Sequence, residues 1–296
     1  VVNDAGGFGP AARLTYAHEF NHALQDQYYD LNRIAPKHPD SNDHSLAVHA
    51  LIEGDAIMLQ SLWAQQNLSQ DDMVQLARGS VGADDSLGQV PLIVRTELLF
   101  PYTAGFNFVR VLYHDAGNSY SAVDSAFLRP PQSTAQILHV DKYRDQIAPV
   151  DVPLGDIAGG LGPEWRMVGS GVLGELDTRV VLEQWGTSTI EADRVASAWS
   201  GDRWQLVEKD SRTVIALRST WATPAAASDF FSAYARGLRT RFSSAEVQES
   251  SATRQALTTP VAATDLRVEG SDVVAVIAFD RDSADGIMRL IAAPTP

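Results

Sequence analysis

The segment from Ala11 to Leu31 contains no proline or glycine, and Pro10 stands directly before it. Proline suits the first turn of a helix, because the N–H that it lacks has no helical partner there. The segment therefore predicts one long helix near the start of the chain. Its inward-facing side chains are expected to include Leu14, Ala17 and Leu24.

This helix carries the sequence His18-Glu19-Phe20-Asn21-His22. Residues four apart lie on one helix face with Cβ atoms roughly 5–6 Å apart. His18 and His22 can therefore converge on one zinc ion at about 2.0–2.1 Å. Glu19 lies at the flank of that face, where it can reach a metal-bound water rather than the metal. Zinc lowers the pKa of such a water to about 7, and Glu19 can then take its proton. The arrangement is typical of a hydrolase.

A catalytic zinc site has three protein ligands and keeps a fourth position open, so one more ligand is expected downstream. We favour Glu53, because a carboxylate within the segment Leu51–Ile57 is costly to bury unless a positive charge meets it. His49, one turn earlier on the same face, is the alternative ligand. The other downstream candidates are His38, His44 and Asp55.

Composition and charge exclude several other functions. The chain has no cysteine, which excludes thiolate metal sites and cysteine nucleophiles. Its formal net charge of −14 argues against nucleic acid as a partner. No apolar run approaches the roughly 18 residues that a membrane span requires.

The length of 296 residues suits two domains. The segment Asp145–Gly162 is rich in proline and glycine and predicts a boundary, which gives domains 1–150 and 151–296. The first should be mainly helical, with its second long helix over 44–67. In the second, Glu164–Trp185 is predicted to be helical. Strands and helices then follow in the order ββαββα. That order predicts an α+β chain whose antiparallel sheet carries its helices on one face.

Two motifs resemble a known family. AHEFNHALQDQ at 17–27 and LIEGDA at 51–56 resemble the gluzincin branch of zinc metallopeptidases. They are more closely similar to a group of bacterial, often secreted or lipid-anchored, proteins with a HEYTHALQDQ-type helix and an EGDA-type motif. Three later segments are also similar to that group: FPYTAG at 100–105, PPQSTAQILH at 130–139 and WSGDRW at 199–204.

The resemblance implies a zincin-like first domain in which His18, His22 and Glu53 bind Zn²⁺ and Glu19 is the general base. It also implies a peptide or protein substrate and an extracellular or cell-envelope location. Gluzincins have a small sheet before the motif helix, and here only Val1–Asp4 could belong to it. That sheet is expected to be missing or truncated, with the cleft completed by a missing N-terminal segment or by a second chain.

Two further roles stay open at this point. Gluzincins supply a Tyr or His to stabilise the developing oxyanion, and we favour His139 and Tyr143, with Tyr102 in FPYTAG as another candidate. Asp26 or Asp55 could support the histidine ligands from behind.

The sequence thus predicts a zinc-dependent metallopeptidase that hydrolyses peptide bonds by a zinc-activated water. The alternative hypothesis is a catalytically inactive, zincin-derived binding or envelope protein, in which the zinc site is structural or vestigial. The second domain has no predicted role.

Overall fold

The computed structural model describes residues 8–34, 42–80 and 86–292, so the predicted strand at Val1–Asp4 lies outside the described residues. Two compact units lie within residues 1–37 and 44–147, and within 38–43 and 148–296. The first is helical and the second contains an antiparallel sheet with helices, which confirms the α+β class. The zincin-like identity and the roles predicted for the two domains remain predictions.

The helices up to residue 147 are mostly short, apart from two long ones. They are α1 (Pro10–Tyr29), α2 (Leu31–Ile34), α3 (Asn42–Asn67), α4 (Gln70–Ser80), α5 (Leu92–Phe100), α6 (Phe106–Asp115), α7 (Ser121–Leu128), α8 (Thr134–Leu138) and α9 (Val140–Arg144). A 3₁₀ turn spans Ser86–Gln89, and a π-helical turn, Pro101–Gly105, joins α5 to α6. No helix within the described ranges is long and apolar enough to span a membrane.

Helix α1 buries a largely polar stripe. Of the side chains predicted to face inward, Ala17 is buried, whereas Leu14 and Leu24 are only half-buried. Asn21 and Gln25 continue the line from Ala17 at intervals of four and are 5% and 2% exposed. Their amides bond to α3, so hydrogen bonds as well as apolar packing hold these two helices together.

Two glycines let the π-helical turn touch α3 through its backbone. A Cβ added to Gly54 would lie 2.3 Å from the carbonyl group of Gly105, and one added to Gly105 would lie 2.1 Å from the carbonyl oxygen of Ala50. Any larger residue would force the two segments apart. This contact fixes the position of Tyr102, which belongs to the same turn.

The second unit contains one antiparallel sheet of seven strands in the order β1-β2-β3-β7-β6-β5-β4. The strands are β1 (Arg166–Gly171), β2 (Trp199–Lys209), β3 (Arg212–Trp221), β4 (Glu246–Ser250), β5 (Arg254–Thr258), β6 (Ala263–Glu269) and β7 (Asp272–Ala278). The helices are α10 (Ile157–Leu161), α11 (Gly174–Gln184), α12 (Thr189–Ala196), α13 (Pro224–Arg241) and α14 (Arg281–Ala292).

Helices cover both faces of this sheet, so the prediction of helices on one face is wrong. Neighbouring residues of a strand point to opposite faces. In β5, Gln255 donates to the carbonyl of Ala235 in α13. The next residue, Ala256, pairs across the ladder with Asp265, which accepts from Arg281 of α14. Helices α13 and α14 therefore pack on opposite faces.

The predicted order ββαββα is also wrong, because it omits β1, β4 and β5. Strand β1 falls within the segment that was predicted to be helical, Glu164–Trp185. Its glycines have a packing reason, since a Cβ on Gly171 would lie 3.1 Å from the indole of Trp204 on the neighbouring strand. Strands β4 and β5 carry many polar residues and lack a clear apolar alternation, so their sequences give little strand signal.

We predict that Gly105→Ala destabilises the protein by about 1–3 kcal/mol, because the new methyl group overlaps the backbone of α3. Gly286→Ala is the matched control. Gly286 also lies inside a helix, but the nearest atom to an added Cβ is 4.0 Å away. The control should stabilise α14 by up to about 1 kcal/mol, since alanine favours helix more than glycine does. Urea denaturation measures the free energy of unfolding of both variants. Equal changes in the two would contradict the close contact between the π-helical turn and α3.

Candidate metal centre

Three side chains of the first unit converge on one point. Nε2 of His18 lies 3.1 Å from Nε2 of His22. Oε2 of Glu53 lies 3.1 Å from the first of these nitrogens and 3.5 Å from the second. Helix α1 supplies both imidazoles from one face, and α3 supplies the carboxylate. The sequence prediction of these three residues as a group therefore corresponds to a group in the structure.

The size of this triangle fits a zinc ion. Ligands at about 2.0–2.1 Å in tetrahedral directions are separated from one another by about 3.3–3.4 Å. The three observed separations of 3.1, 3.1 and 3.5 Å lie close to that value. Oε2 of Glu53 is also buried and makes no hydrogen bond of good geometry to the described part of the chain. A cation between the three atoms would compensate this oxygen, so the residues present fit the metal.

The second oxygen of Glu53 is held separately. Oε1 lies 3.2 Å from Nε2 of His49, which is one turn earlier on α3. His49 therefore contacts the far side of the carboxylate, and its own side chain is 55% exposed. It is not among the three side chains close enough to share an ion within the described residues. His44 is not among them either, and His38 lies outside the described residues.

The local charges favour an ionised carboxylate. Burial by itself would raise the pKa of Glu53, but the adjacent imidazoles of His22 and His49 lower it below the ordinary value. The carboxylate of Glu53 in turn raises the pKa of His22, and this effect outweighs burial. The carboxylate of Glu53 is therefore ionised, and its negative charge would attract a cation.

A hydrogen-bonded chain of buried groups lies behind His22. Nδ1 of His22 is 2.8 Å from Oε1 of Gln25. Nε2 of Gln25 is 2.9 Å from the carbonyl oxygen of Ile52 and 2.7 Å from Oδ2 of Asp55. Asn21 donates to the same oxygen of Asp55 at 2.9 Å. These contacts join the turn of α1 that carries His22 to the turn of α3 that carries Glu53.

Of the two aspartates predicted to support the histidines, Asp55 lies in this chain, although it reaches His22 only through Gln25. Asp26 instead accepts from the backbone N–H of Leu31, at the end of α1. Sequence reasoning missed Gln25 and Asn21. Their spacing contained a signal, since Gln25 follows His22 by three residues and His18 by seven, on the same side of the helix.

The π-helical turn brings Tyr102 to the centre. Its ring lies 6.4 Å from the His18 ring, at an angle of 29°. Burial, and after it the charge of Glu53, raise the pKa of Tyr102, and Glu19 contributes to the same shift. The phenol therefore keeps its proton at neutral pH and can act as a hydrogen-bond donor.

Glu19 lies beside the group on the exposed flank of α1. Its charge contributes to the raised pKa values of both His22 and Tyr102, after larger contributions from Glu53 to both and from burial to Tyr102. This carboxylate is therefore close to the centre without belonging to the ligand group. That position suits proton transfer better than metal binding.

Of His139 and Tyr143, which the sequence analysis favoured as oxyanion donors, Tyr143 has other surroundings. The Tyr143 ring is buried edge-on against Phe108, and its hydroxyl donates to the carbonyl of Arg129 at 3.0 Å. His139 is half-buried at the junction of α8 and α9. Tyr102, rather than Tyr143, therefore lies beside the imidazoles, and the role of His139 stays a prediction.

Comparison with known proteins gives one family match. The model of a family described as a domain of unknown function, DUF8575, matches residues 165–288. The match begins just before β1 and ends in α14, so it concerns the sheet unit and not the helices that carry His18, His22 and Glu53. No curated protein and no solved structure matches the chain.

We predict about one zinc ion per chain by elemental analysis of the purified protein, and its loss in His22→Ala, which removes one corner of the triangle. His49→Ala should retain zinc with weaker affinity, because it removes only the contact to the outer oxygen of Glu53. His114→Ala is the matched control, since His114 is an exposed histidine that bonds Asn118. Equal zinc content in His22→Ala and His114→Ala would contradict the assignment.

Proposed function

We propose that this chain is a zinc-dependent metallopeptidase. The observation that carries the proposal is the triangle of His18, His22 and Glu53, whose edges match those of a tetrahedral zinc site with a fourth position left for water. The nearby Glu19 supports a hydrolase over a storage or structural site. The motif resemblance to gluzincins supports the same reaction class.

A bound zinc ion would lower the pKa of a coordinated water to about 7 and polarise the carbonyl of a substrate. Proton transfer has to come from the chain's own side chains. Glu19 is placed on the flank of the ligand face, where it can take a proton from water and return it to the leaving amine. General bases of this kind contribute about 10²–10⁴-fold to the rate.

Tyr102 is the group we propose as the oxyanion donor. Its raised pKa keeps the hydroxyl protonated, and its ring lies against His18. A donor directed at the oxygen that gains charge in the transition state contributes about 10²–10³-fold. This assignment replaces Tyr143 as a preferred candidate, because the hydroxyl of Tyr143 already donates within the core, while His139 stays an alternative donor.

The substrate we propose is a peptide or protein. The extracellular or cell-envelope location stays a prediction from the resemblance. The alternative hypothesis is an inactive binding or envelope protein. A structural zinc site is closed by a fourth side chain. The described residues bring three histidine, aspartate or glutamate side chains together, which favours the open site of an enzyme.

We predict that Glu19→Gln leaves zinc content unchanged and lowers peptide hydrolysis by at least about 10²-fold, because the amide cannot accept the proton. The measurement is cleavage of a fluorogenic peptide library by the zinc-loaded protein. Glu19 is exposed, so the fold should tolerate the change. If zinc-loaded wild type cleaves nothing, the binding-protein hypothesis gains support, and an equally active Glu19→Gln variant would exclude the proposed base.

Two tyrosine variants separate the oxyanion candidates. We predict that Tyr102→Phe lowers kcat by about 10²-fold with little change in stability, because it removes a donor beside His18. Tyr143→Phe should instead cost about 1 kcal/mol of stability, from the lost bond to the Arg129 carbonyl, and leave kcat unchanged. Kinetics and thermal unfolding measure the two effects. The reverse pattern would favour Tyr143.

A further inference from the structure

The amide of Gln25 can point in only one direction. It is 2% exposed, between α1 and α3. Its nitrogen has two acceptors, the carbonyl oxygen of Ile52 at 2.9 Å and Oδ2 of Asp55 at 2.7 Å. If the amide were reversed, its own oxygen would face both of these acceptors with no hydrogen between them. The nitrogen must therefore face α3, and the oxygen must face His22.

This orientation determines which nitrogen of His22 carries the proton. Nδ1 lies 2.8 Å from Oε1 of Gln25, and an amide oxygen can only accept, so Nδ1 must donate. A neutral imidazole has one N–H. Nε2 of His22 therefore keeps its lone pair, and this is the atom that faces His18 and Glu53.

We propose that Gln25 is a positioning residue, which holds His22 in the Nδ1–H tautomer and so presents Nε2 as a ready metal ligand. Asp55 fixes the amide of Gln25, and Asn21 donates to the same oxygen of Asp55 at 2.9 Å. The inference deepens the proposed function and rests on it for the role of the metal. The tautomer itself is a property of the chain without metal.

The same reasoning gives the two histidines different roles. Nδ1 of His18 is buried and has no hydrogen-bond partner in the described part of the chain. With the Nε2 lone pair of His22 facing it, Nε2 of His18 is the atom that donates in the metal-free chain, so the tautomer of His18 follows from that of His22. His22 therefore presents its lone pair before metal arrives, whereas His18 has to move its proton from Nε2 to Nδ1 to bind the ion through Nε2.

The direct test is the tautomer of His22 in metal-free protein, read from long-range ¹H–¹⁵N correlations of the imidazoles above their pKa values. The chain has seven histidines, which a set of single substitutions can assign. Wild type and the control Gln27→Leu, at an exposed position on the same helix, should show His22 with hydrogen on Nδ1. Gln25→Leu should show His22 as a mixture of tautomers or in the Nε2–H form.

Zinc affinity, measured by competition with a chromophoric chelator, gives the second readout. Loss of an orienting partner typically costs 10–100-fold in metal affinity, and we expect a loss of about that size for Gln25→Leu and none for Gln27→Leu. The Nε2–H form in wild type would overturn the inference even if zinc binds. Nδ1–H in wild type with no zinc binding would uphold the role of Gln25 and overturn the metal proposal. Because the decisive tautomer is that of wild type, a variant that fails to fold leaves the test intact.

Discussion

The buried carboxylate of Glu53 faces two imidazole nitrogens, and this contact constrains how α1 and α3 pack against each other. One oxygen lies 3.1 and 3.5 Å from the nitrogens of His18 and His22, while the other contacts His49. An unpaired buried charge costs several kcal/mol, so the carboxylate constrains what can occupy the space between α1 and α3. A cation would satisfy all three side chains at once.

The surrounding structure holds this contact in place through backbone proximity and polar pairing. Gly54 follows the ligand directly and allows the π-helical turn to touch α3, and π-bulges of this kind occur frequently at functional sites. Gln25 and Asp55 hold the two helices at the level of the imidazoles. The EGDA motif thus places a candidate ligand, Glu53, a close backbone contact at Gly54 and a hydrogen-bond acceptor, Asp55, in three consecutive residues.

Local spacing was enough to predict much of the centre. His18 and His22 are four apart on an uninterrupted helix, and Glu53 is conspicuous as a carboxylate in an apolar segment, so these could be chosen before any fold was known. Tyr102 could not be ranked above Tyr143 in this way. Its place depends on the contact between Gly54 and Gly105, which are about fifty residues apart along the chain. Sequence spacing carries no information on such a contact. The prediction of the sheet unit was wrong for a similar reason. The glycines of β1 are needed because the indole of Trp204 packs against them, and the polar edge strand β4 lacks apolar alternation.

The most direct test of the central claim is X-ray absorption at the zinc edge of the zinc-loaded protein. The account predicts four nitrogen or oxygen neighbours at about 2.0–2.2 Å, with the multiple scattering of two imidazoles. One carboxylate and one water complete such a shell. A third imidazole would make His49 a ligand and close the site, and a metal that binds only weakly, with oxygen ligands alone, would contradict the assignment of His18, His22 and Glu53.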